Sequence, residues 1–152
     1  MPGGKRKTII KYLVIIIIIF DQLSKYVISH KFLPGQSIPV IENIFHLTYV
    51  LNRGAAFGIL KNQGYLFIVI ALAAIIFIFT NLLRVRVLRE KLALSLILAG
   101  VIGNLIDRLR LSAVIDFLDF RIWPVFNLAD SAITIGAVLL AYSLLIKRKI
   151  SV

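Results

Sequence analysis

Four apolar runs, each close to twenty residues long, most constrain what this 152-residue chain can fold into. They lie at about residues 9–28, 64–83, 92–111 and 129–146. A helix of ~20 residues crosses a hydrocarbon core and satisfies every backbone hydrogen bond inside it. Hydrophobic residues make up 60% of the chain, and the mean hydropathy is +0.96. The sequence therefore predicts an all-α integral membrane protein, a single polytopic domain with four transmembrane helices.

Basic clusters flank the apolar runs, at residues 5–11, 84–91 and 147–149. The positive-inside rule places all three in the cytoplasm, which predicts two cytoplasmic termini and two outer loops, 30–63 and 112–128. The net charge of +11 does not indicate a nucleic-acid partner, because the charges form no single polar face. The first run has the basic start of a signal peptide, but no small-residue cleavage site follows it, so we expect a retained helix.

The two outer loops differ in character. In the first, HLTYVLN (46–52) alternates in polarity and is rich in β-forming residues, which predicts a strand in a small extracytoplasmic β-cradle. The second carries Phe120, Trp123 and Phe126, side chains that suit the headgroup level of a membrane. We expect a short outer-surface helix or loop there.

Redox and metal chemistry find little support in the sequence. Cysteine is absent, so the chain can form neither a disulfide nor a thiol nucleophile. The two histidines, His30 and His46, lie in no ligand-spaced motif. We therefore expect no metal site and no cofactor.

Acidic residues gather at one level of the predicted bundle. Asp21, Asp107 and Asp130 lie at or near the outer ends of three runs. At ~1.5 Å of rise per residue, Asp107 lies about 22 Å from the cytoplasmic start of its helix, near the depth at which Asp130 begins the next. Two carboxylates held close together do not both ionise easily, so such a pair holds an acid and a base at once. The spacing predicts Asp107 and Asp130 as a catalytic pair.

Structural explanations for these two carboxylates stay open. Asp130 could only cap its helix, with Asn127 as an alternative cap. Asp107 could only pair with Arg108 or Arg110 near the membrane interface. If either explanation holds, that aspartate has a structural role and no catalytic one.

Further polar and small residues accompany the aspartates. Asn104 and Asn127 each precede an aspartate by three positions and could orient it. Asp21 and Lys25 are four apart, the spacing of an ion pair on one helix face. Two sets of small or turn-forming residues complete the pattern: Gly100 and Gly103, which allow close helix approach, and Asn52 and Gly54, which could shape a peptide site or merely a turn.

Five stretches together resemble one family, lipoprotein signal peptidase, also called signal peptidase II. They are FDQLSKYVI (20–28), NRGAAFG (52–58), GNLIDRL (103–109), VIDFLDF (114–120) and FNLADS (126–131). They occur in the family's order and extend from the first run to the fourth. One departure concerns the linker LRLSA (109–113), where many members have a glycine.

The resemblance implies a bacterial plasma-membrane aspartic endopeptidase without a cofactor. It would cleave a prolipoprotein on the amino side of a cysteine that carries diacylglycerol, and globomycin would inhibit it. The implied catalytic residues are Asp107 and Asp130. The implied substrate-binding or orienting residues are Asp21, Lys25, Asn52, Gly54, Asn104, Arg108 and Asn127. Membrane lipids are further implied partners.

Three other functions compete with this hypothesis. A proton- or cation-coupled transporter would use intramembrane acids, but these acids cluster at one face and the chain shows no duplicated half. A membrane scaffold would use the aspartates as caps. A presenilin-like protease would place its aspartates in YD and GxGD contexts, which surround neither Asp107 nor Asp130.

Overall fold

The computed structural model describes the backbone of residues 3–54 and 63–150, and the side chains of residues 10–54 and 63–146. Seven elements follow one another along the described chain: α1 (Gly3–Lys31), β1 (Ser37–Ile41), β2 (Phe45–Asn52), α2 (Gly64–Arg84), α3 (Leu88–Leu111), β3 (Val114–Asp119) and α4 (Leu128–Ile150). Each of the four predicted spans lies inside one of these helices. Within the described ranges, four helices are long and apolar enough to cross a membrane.

Helix α3 forms the centre of the bundle. In its spanning segment 56% of the residues are buried, against 11 to 22% in the other three. Glycines on α3 make this possible: a side chain at Gly100 would overlap the backbone of α4, and one at Gly103 would lie 2.6 Å from a carboxylate oxygen of Asp21 on α1. The prediction that these two glycines allow close helix approach is confirmed.

A small antiparallel sheet of order β1-β2-β3 lies at one end of the bundle, where α1 and α3 end and α2 and α4 begin. The strand predicted at 46–52 is confirmed as β2. The loop predicted at residues 112–128 contains strand β3, because Val114–Asp119 pairs with β2 in a register that sets Val50 opposite Asp116. Residues 55–62, which include most of the NRGAAFG stretch, lie outside the described part of the chain.

Apolar contacts fix the sheet on the bundle. Ile28 near the end of α1 packs with Tyr49 of β2 and with Ile115 and Phe117 of β3. These four side chains are buried. Strand β3 is therefore anchored against the helix ends. Asp116, which lies between Ile115 and Phe117 on this strand, is held at a defined position.

Candidate active site

Helix α4 begins with a reciprocal cap. The Asn127 Oδ1 atom accepts the Asp130 backbone N–H at 2.8 Å, and an Asp130 carboxylate oxygen accepts the Asn127 backbone N–H at 3.3 Å. This is the arrangement of a capping box, in which two otherwise unsatisfied N–H groups find partners. Asn127 is thus the cap, and Asp130 lies in the first turn. The other carboxylate oxygen of Asp130, Oδ1, accepts a hydrogen bond from Asn104 on α3.

The side-chain amide of Asn127 connects this helix start to strand β3. Its Nδ2 atom donates to Asp116 Oδ1 at 2.6 Å, and Asn52 donates to the other oxygen of Asp116 at 2.9 Å. Asn52 in turn accepts the backbone N–H of Gly54 at 3.0 Å. One asparagine therefore contacts two aspartates, Asp116 through its side chain and Asp130 through its backbone.

The environment of Asp116 favours its protonated form. The residue is 2% exposed. Burial, followed by the nearby negative charge of Asp130, raises the pKa of Asp116 from 3.8 to about 7, against the opposing hydrogen bonds from Asn52 and Asn127. Near neutral pH, Asp116 can therefore hold a proton.

Asp130 faces a cleft between helices. Asn104 on α3 donates to Asp130 Oδ1 at 2.8 Å. A cavity of about 300 Å³ adjoins this pair and is lined by Phe67 and Ala71 of α2, by Arg108 of α3 and by Ile133 of α4, among others. The Arg108 guanidinium lies 5.0 Å above the Phe67 ring, within the range of a cation–π contact. A peptide in this apolar cleft would meet Asp130 at its polar end.

Asp107 has a different environment. Its carboxylate oxygens receive Gln22 Nε2 at 3.1 Å, the Ile115 backbone N–H at 3.1 Å and Lys25 Nζ at 3.0 Å. The predicted alternative partners, Arg108 and Arg110, are not its ion-pair partner among the described residues; Lys25 is. These contacts tie Asp107 to α1 through Gln22 and Lys25 and to β3 through the backbone of Ile115.

Lys25 and Asp21 form the predicted ion pair on one face of α1, with 2.8 Å between Lys25 Nζ and Asp21 Oδ2. Both residues are almost fully buried. The other oxygen of Asp21 accepts the Ala129 backbone N–H of α4 at 2.8 Å. The prediction of an Asp21–Lys25 pair is confirmed, and the pair also contacts α3 and α4.

The far end of β3 provides a contrasting carboxylate. Asp119 accepts Thr48 Oγ1 at 2.7 Å and the Arg121 guanidinium at 3.0 Å. Burial raises the pKa of Asp119, but the hydrogen bonds from Thr48 and Arg121 and the charge of Arg121 outweigh it and lower that pKa below 3.8. Asp119, which is 5% exposed, is thus held in its ionised form by these partners, three positions from Asp116.

The structure brings nearly all the predicted residues into one network. Four of them meet where α1 packs on α3: Asp21, Lys25, Asn104 and Asp107. Four more lie on the side of β2 and α4: Asn52, Gly54, Asn127 and Asp130. The role of Asp107 and Asp130 as a catalytic pair stays a prediction. Among the described residues, no group of three histidine or acidic side chains converges as metal ligands would.

Sequence reasoning did not single out Asp116 or Gln22. Asp116 lies in the predicted loop 112–128 and in the VIDFLDF stretch, neither of which by itself gives it a role. The signal available was the alternation of that stretch, which places Asp116 on the opposite strand face from Ile115 and Phe117. Carboxylates are rarely buried without a partner, and β3 carries two, Asp116 and Asp119, on a strand that is buried at five of its six positions.

Comparison with known proteins points to one family. Residues 13–146 match the family model described as signal peptidase (SPase) II. The lipoprotein signal peptidase of Halothermothrix orenii is 50% identical over 138 residues, which cover 90% of this chain and 95% of that protein. The lipoprotein signal peptidase of Moorella thermoacetica is 52% identical over 137 residues, covering 88% and 91% of the two chains.

A solved bacterial membrane enzyme has the same fold. It superposes with a TM-score of 0.86 at 34% sequence identity, and the match covers 91% of this chain and 88% of that one. A second such structure gives a TM-score of 0.84 at 35% identity, covering 91% of this chain and 93% of that one. The helices, the sheet and their order are therefore shared with these structures.

Proposed function

The chain belongs to the signal peptidase II family, membrane proteases that process prolipoproteins, and we propose that it acts as an intramembrane aspartic endopeptidase. Its substrate is a prolipoprotein whose cysteine already carries diacylglycerol. Cleavage on the amino side of that cysteine releases the signal peptide. The observation that carries the proposal is the sharing of Asn127 by two carboxylates, Asp116 and Asp130, beside an apolar cleft.

We assign the chemistry to Asp116 and Asp130, in place of the predicted pair Asp107 and Asp130. Burial and then the charge of Asp130 raise the pKa of Asp116, and the second of these causes is the coupling that an acid–base pair needs. Asp107, by contrast, shares the Lys25 ammonium group with Asp21, at 3.0 Å from Lys25 Nζ. Among the described residues, its hydrogen-bond and ion-pair partners are Gln22, Ile115 and Lys25, and none of these hydrogen-bonds to Asp130.

In the proposed reaction, Asp116 starts protonated and Asp130 starts ionised. Asp130 takes a proton from water as the water oxygen attacks the scissile carbonyl carbon, which gives a tetrahedral intermediate. Asp116 hydrogen-bonds the carbonyl oxygen as its charge develops. Asp130 then passes the proton it took from water to the amide nitrogen, the C–N bond breaks as the carbonyl group re-forms, and a carboxylic acid and a free amine result.

The membrane location explains why this chemistry lies at a helix end. The signal peptide and the acyl chains of the substrate are apolar and stay in lipid, whereas water reaches the site from outside. The cleft lined by α2, α3 and α4 offers the apolar segment a route from the lipid to Asp130. Arg108 at its polar end can contact the peptide backbone or lipid headgroups.

Topology and inhibition complete the proposal. With the basic clusters in the cytoplasm, both termini lie inside and the site lies near the extracytoplasmic face of the bacterial plasma membrane. Membrane lipids are then constant partners. The family resemblance implies inhibition by globomycin, which we expect to block cleavage by this protein.

The test is cleavage of a diacylglyceryl-modified prolipoprotein by purified protein and by four aspartate-to-asparagine variants. Asp116→Asn and Asp130→Asn should each lose at least about 100-fold in kcat, the lower range for loss of general acid–base catalysis. Asp119→Asn is the matched control on the same strand and should keep the parental rate. Asp107→Asn should lose less than the first two, because its amide oxygen can still accept the Ile115 N–H.

The opposite ranking would refute this assignment. If Asp116→Asn cleaves at the parental rate while folded Asp107→Asn does not, the pair is Asp107 and Asp130. If the parent supplied with lipid does not cleave the substrate at all, the peptidase function itself is wrong.

A further inference from the structure

Lys25 lies at the centre of the buried network without touching either proposed catalytic carboxylate. Its ammonium group has three N–H donors, and three oxygens lie around it. Nζ is 2.8 Å from Asp21 Oδ2, 3.0 Å from Asp107 Oδ2 and 2.9 Å from Asn104 Oδ1. With 1% of the residue exposed, Lys25 is shielded from bulk solvent.

Each of the two carboxylates bound to Lys25 also accepts one backbone N–H. Asp21 accepts the N–H of Ala129 at 2.8 Å, and Asp107 accepts the N–H of Ile115 at 3.1 Å. Ala129 directly precedes Asp130, and Ile115 directly precedes Asp116. The lysine is thus connected by the same type of link to the backbone beside each member of the proposed pair.

A third connection runs through Asn104. Its Oδ1 atom accepts Lys25 Nζ at 2.9 Å, and its Nδ2 atom donates to Asp130 Oδ1 at 2.8 Å. Asn104 Oδ1 also accepts Asn127 Nδ2 at 3.1 Å, and that amide contacts Asp116. The side-chain orientation of the pair, as well as its backbone, therefore depends on groups bound to Lys25.

From these contacts we infer that Lys25 is a positioning residue that sets the separation and orientation of Asp116 and Asp130. The inference rests on the proposed function of that pair. Helix α1 carries Lys25, strand β3 carries Asp116 and helix α4 carries Asp130. The contacts of a single ammonium group therefore link three separate elements. Charge-assisted hydrogen bonds are short and directional, which makes them suited to fixing such a geometry.

A purely structural ion pair would predict something different. Buried ion pairs often contribute little net stability, because desolvation offsets their attraction. If Lys25 served folding alone, a folded variant without it would cleave at the parental rate. If Lys25 positions the pair, the folded variant binds substrate normally but reacts slowly, since a misplacement of ~1 Å at a reacting group costs on the order of 100-fold in rate.

The experiment measures kcat and KM of Lys25→Met with the diacylglyceryl-modified prolipoprotein in detergent, per folded molecule. We expect kcat to fall on the order of 100-fold with KM within about twofold of the parent. Ser95→Ala is the matched control, since it removes a buried side-chain hydrogen bond to the Lys91 carbonyl on α3, nine residues before Asn104. It lowers stability but should keep the parental kcat.

Loss of the lysine leaves two carboxylates buried without a counter-charge and can prevent folding. The triple variant Asp21→Asn, Lys25→Met, Asp107→Asn then takes its place, because it removes all three charges. Its asparagine oxygens can still accept the two backbone N–H groups. A kcat within about twofold of the parent in whichever variant folds would overturn the inference.

A double-mutant cycle gives an independent readout. Lys25 and Asp107 act through one chain of contacts, so adding Asp107→Asn to Lys25→Met should slow cleavage little further. If the two losses in rate multiply, Lys25 and Asp107 act independently and the inference that Lys25 positions the pair is refuted. Cleavage at the parental rate by Asp116→Asn would instead show that the proposed catalytic pair is wrong. The Lys25 variants do not test that point.

Discussion

Removing the Asp116 carboxyl group should make the stability of this protein less dependent on pH. The folded protein binds the Asp116 proton more tightly than the unfolded chain does, because burial and the charge of Asp130 raise its pKa from 3.8 to about 7. This contribution to stability is therefore fully present below about pH 4 and is lost as the pH rises to about 7. Above pH 7 both states are ionised and the loss is complete.

The magnitude follows from the two pKa values. At about 1.4 kcal/mol per pKa unit, the whole loss is on the order of 4 kcal/mol, of which roughly 2 kcal/mol falls between pH 5 and pH 7. That corresponds to a decrease of about 4 to 8 °C in the midpoint of thermal unfolding. Asp116→Asn cannot ionise and should lack this decrease. Any cost of the substitution in hydrogen bonding shifts its stability equally at every pH.

The assay is thermal unfolding in detergent, followed by circular dichroism from pH 4 to pH 8. Asp119→Asn is the control, since its lowered pKa leaves Asp119 ionised in both states above pH 5. Its unfolding midpoint should run parallel to that of the parent from pH 5 to pH 8. Parallel curves for the parent and Asp116→Asn over that range would show that Asp116 does not hold its proton, and the proposed acid role would fail.

Three further predictions concern rate, packing and topology. The kcat for prolipoprotein cleavage should fall about tenfold per pH unit above about pH 7 as Asp116 loses its proton, and a rate flat to pH 9 contradicts its role as the acid. Gly100→Ala should lower the free energy of unfolding by about 1 to 3 kcal/mol, because its methyl group overlaps the α4 backbone. Gly64→Ala is the control and should not lower it, because its methyl group would lie 3.9 Å from the nearest atom, the Ser112 carbonyl oxygen. Equal unfolding midpoints for the two variants would refute this prediction. In this cysteine-free chain, Ile122→Cys should react with an impermeant thiol reagent in intact cells and Arg86→Cys only after permeabilisation, and the reverse would invert the topology.

The match between predicted and observed helices has a simple physical cause. A bilayer-spanning segment must be about twenty apolar residues long whatever it packs against, so length and hydropathy alone locate it. The Asp21–Lys25 pair is equally predictable from the sequence, since its four-residue spacing on one helix fixes the contact. Asn127 as the cap of α4 also depended only on local chain geometry.

Sequence reasoning favoured Asp107 because it shares the N-x-x-D spacing of Asp130 and lies in a predicted span. That spacing reports only which residues share a helix face. Whether Asp107 meets Asp130 or Lys25 depends on how α1 and α3 pack, which local spacing does not contain. In the structure α1 supplies the counter-charge at 3.0 Å.

By itself, then, the sequence determined the four membrane-spanning helices, the strand at 46–52 and most of the polar residues that meet at one end of the bundle. Only the tertiary structure decided which carboxylates become neighbours. Asp116 reaches Asn127 because β3 pairs with β2, whose Asn52 lies 64 residues earlier in the chain, and because α4 begins beside both. Strand register and helix packing depend on the summed contacts of distant segments, and no local pattern encodes that sum.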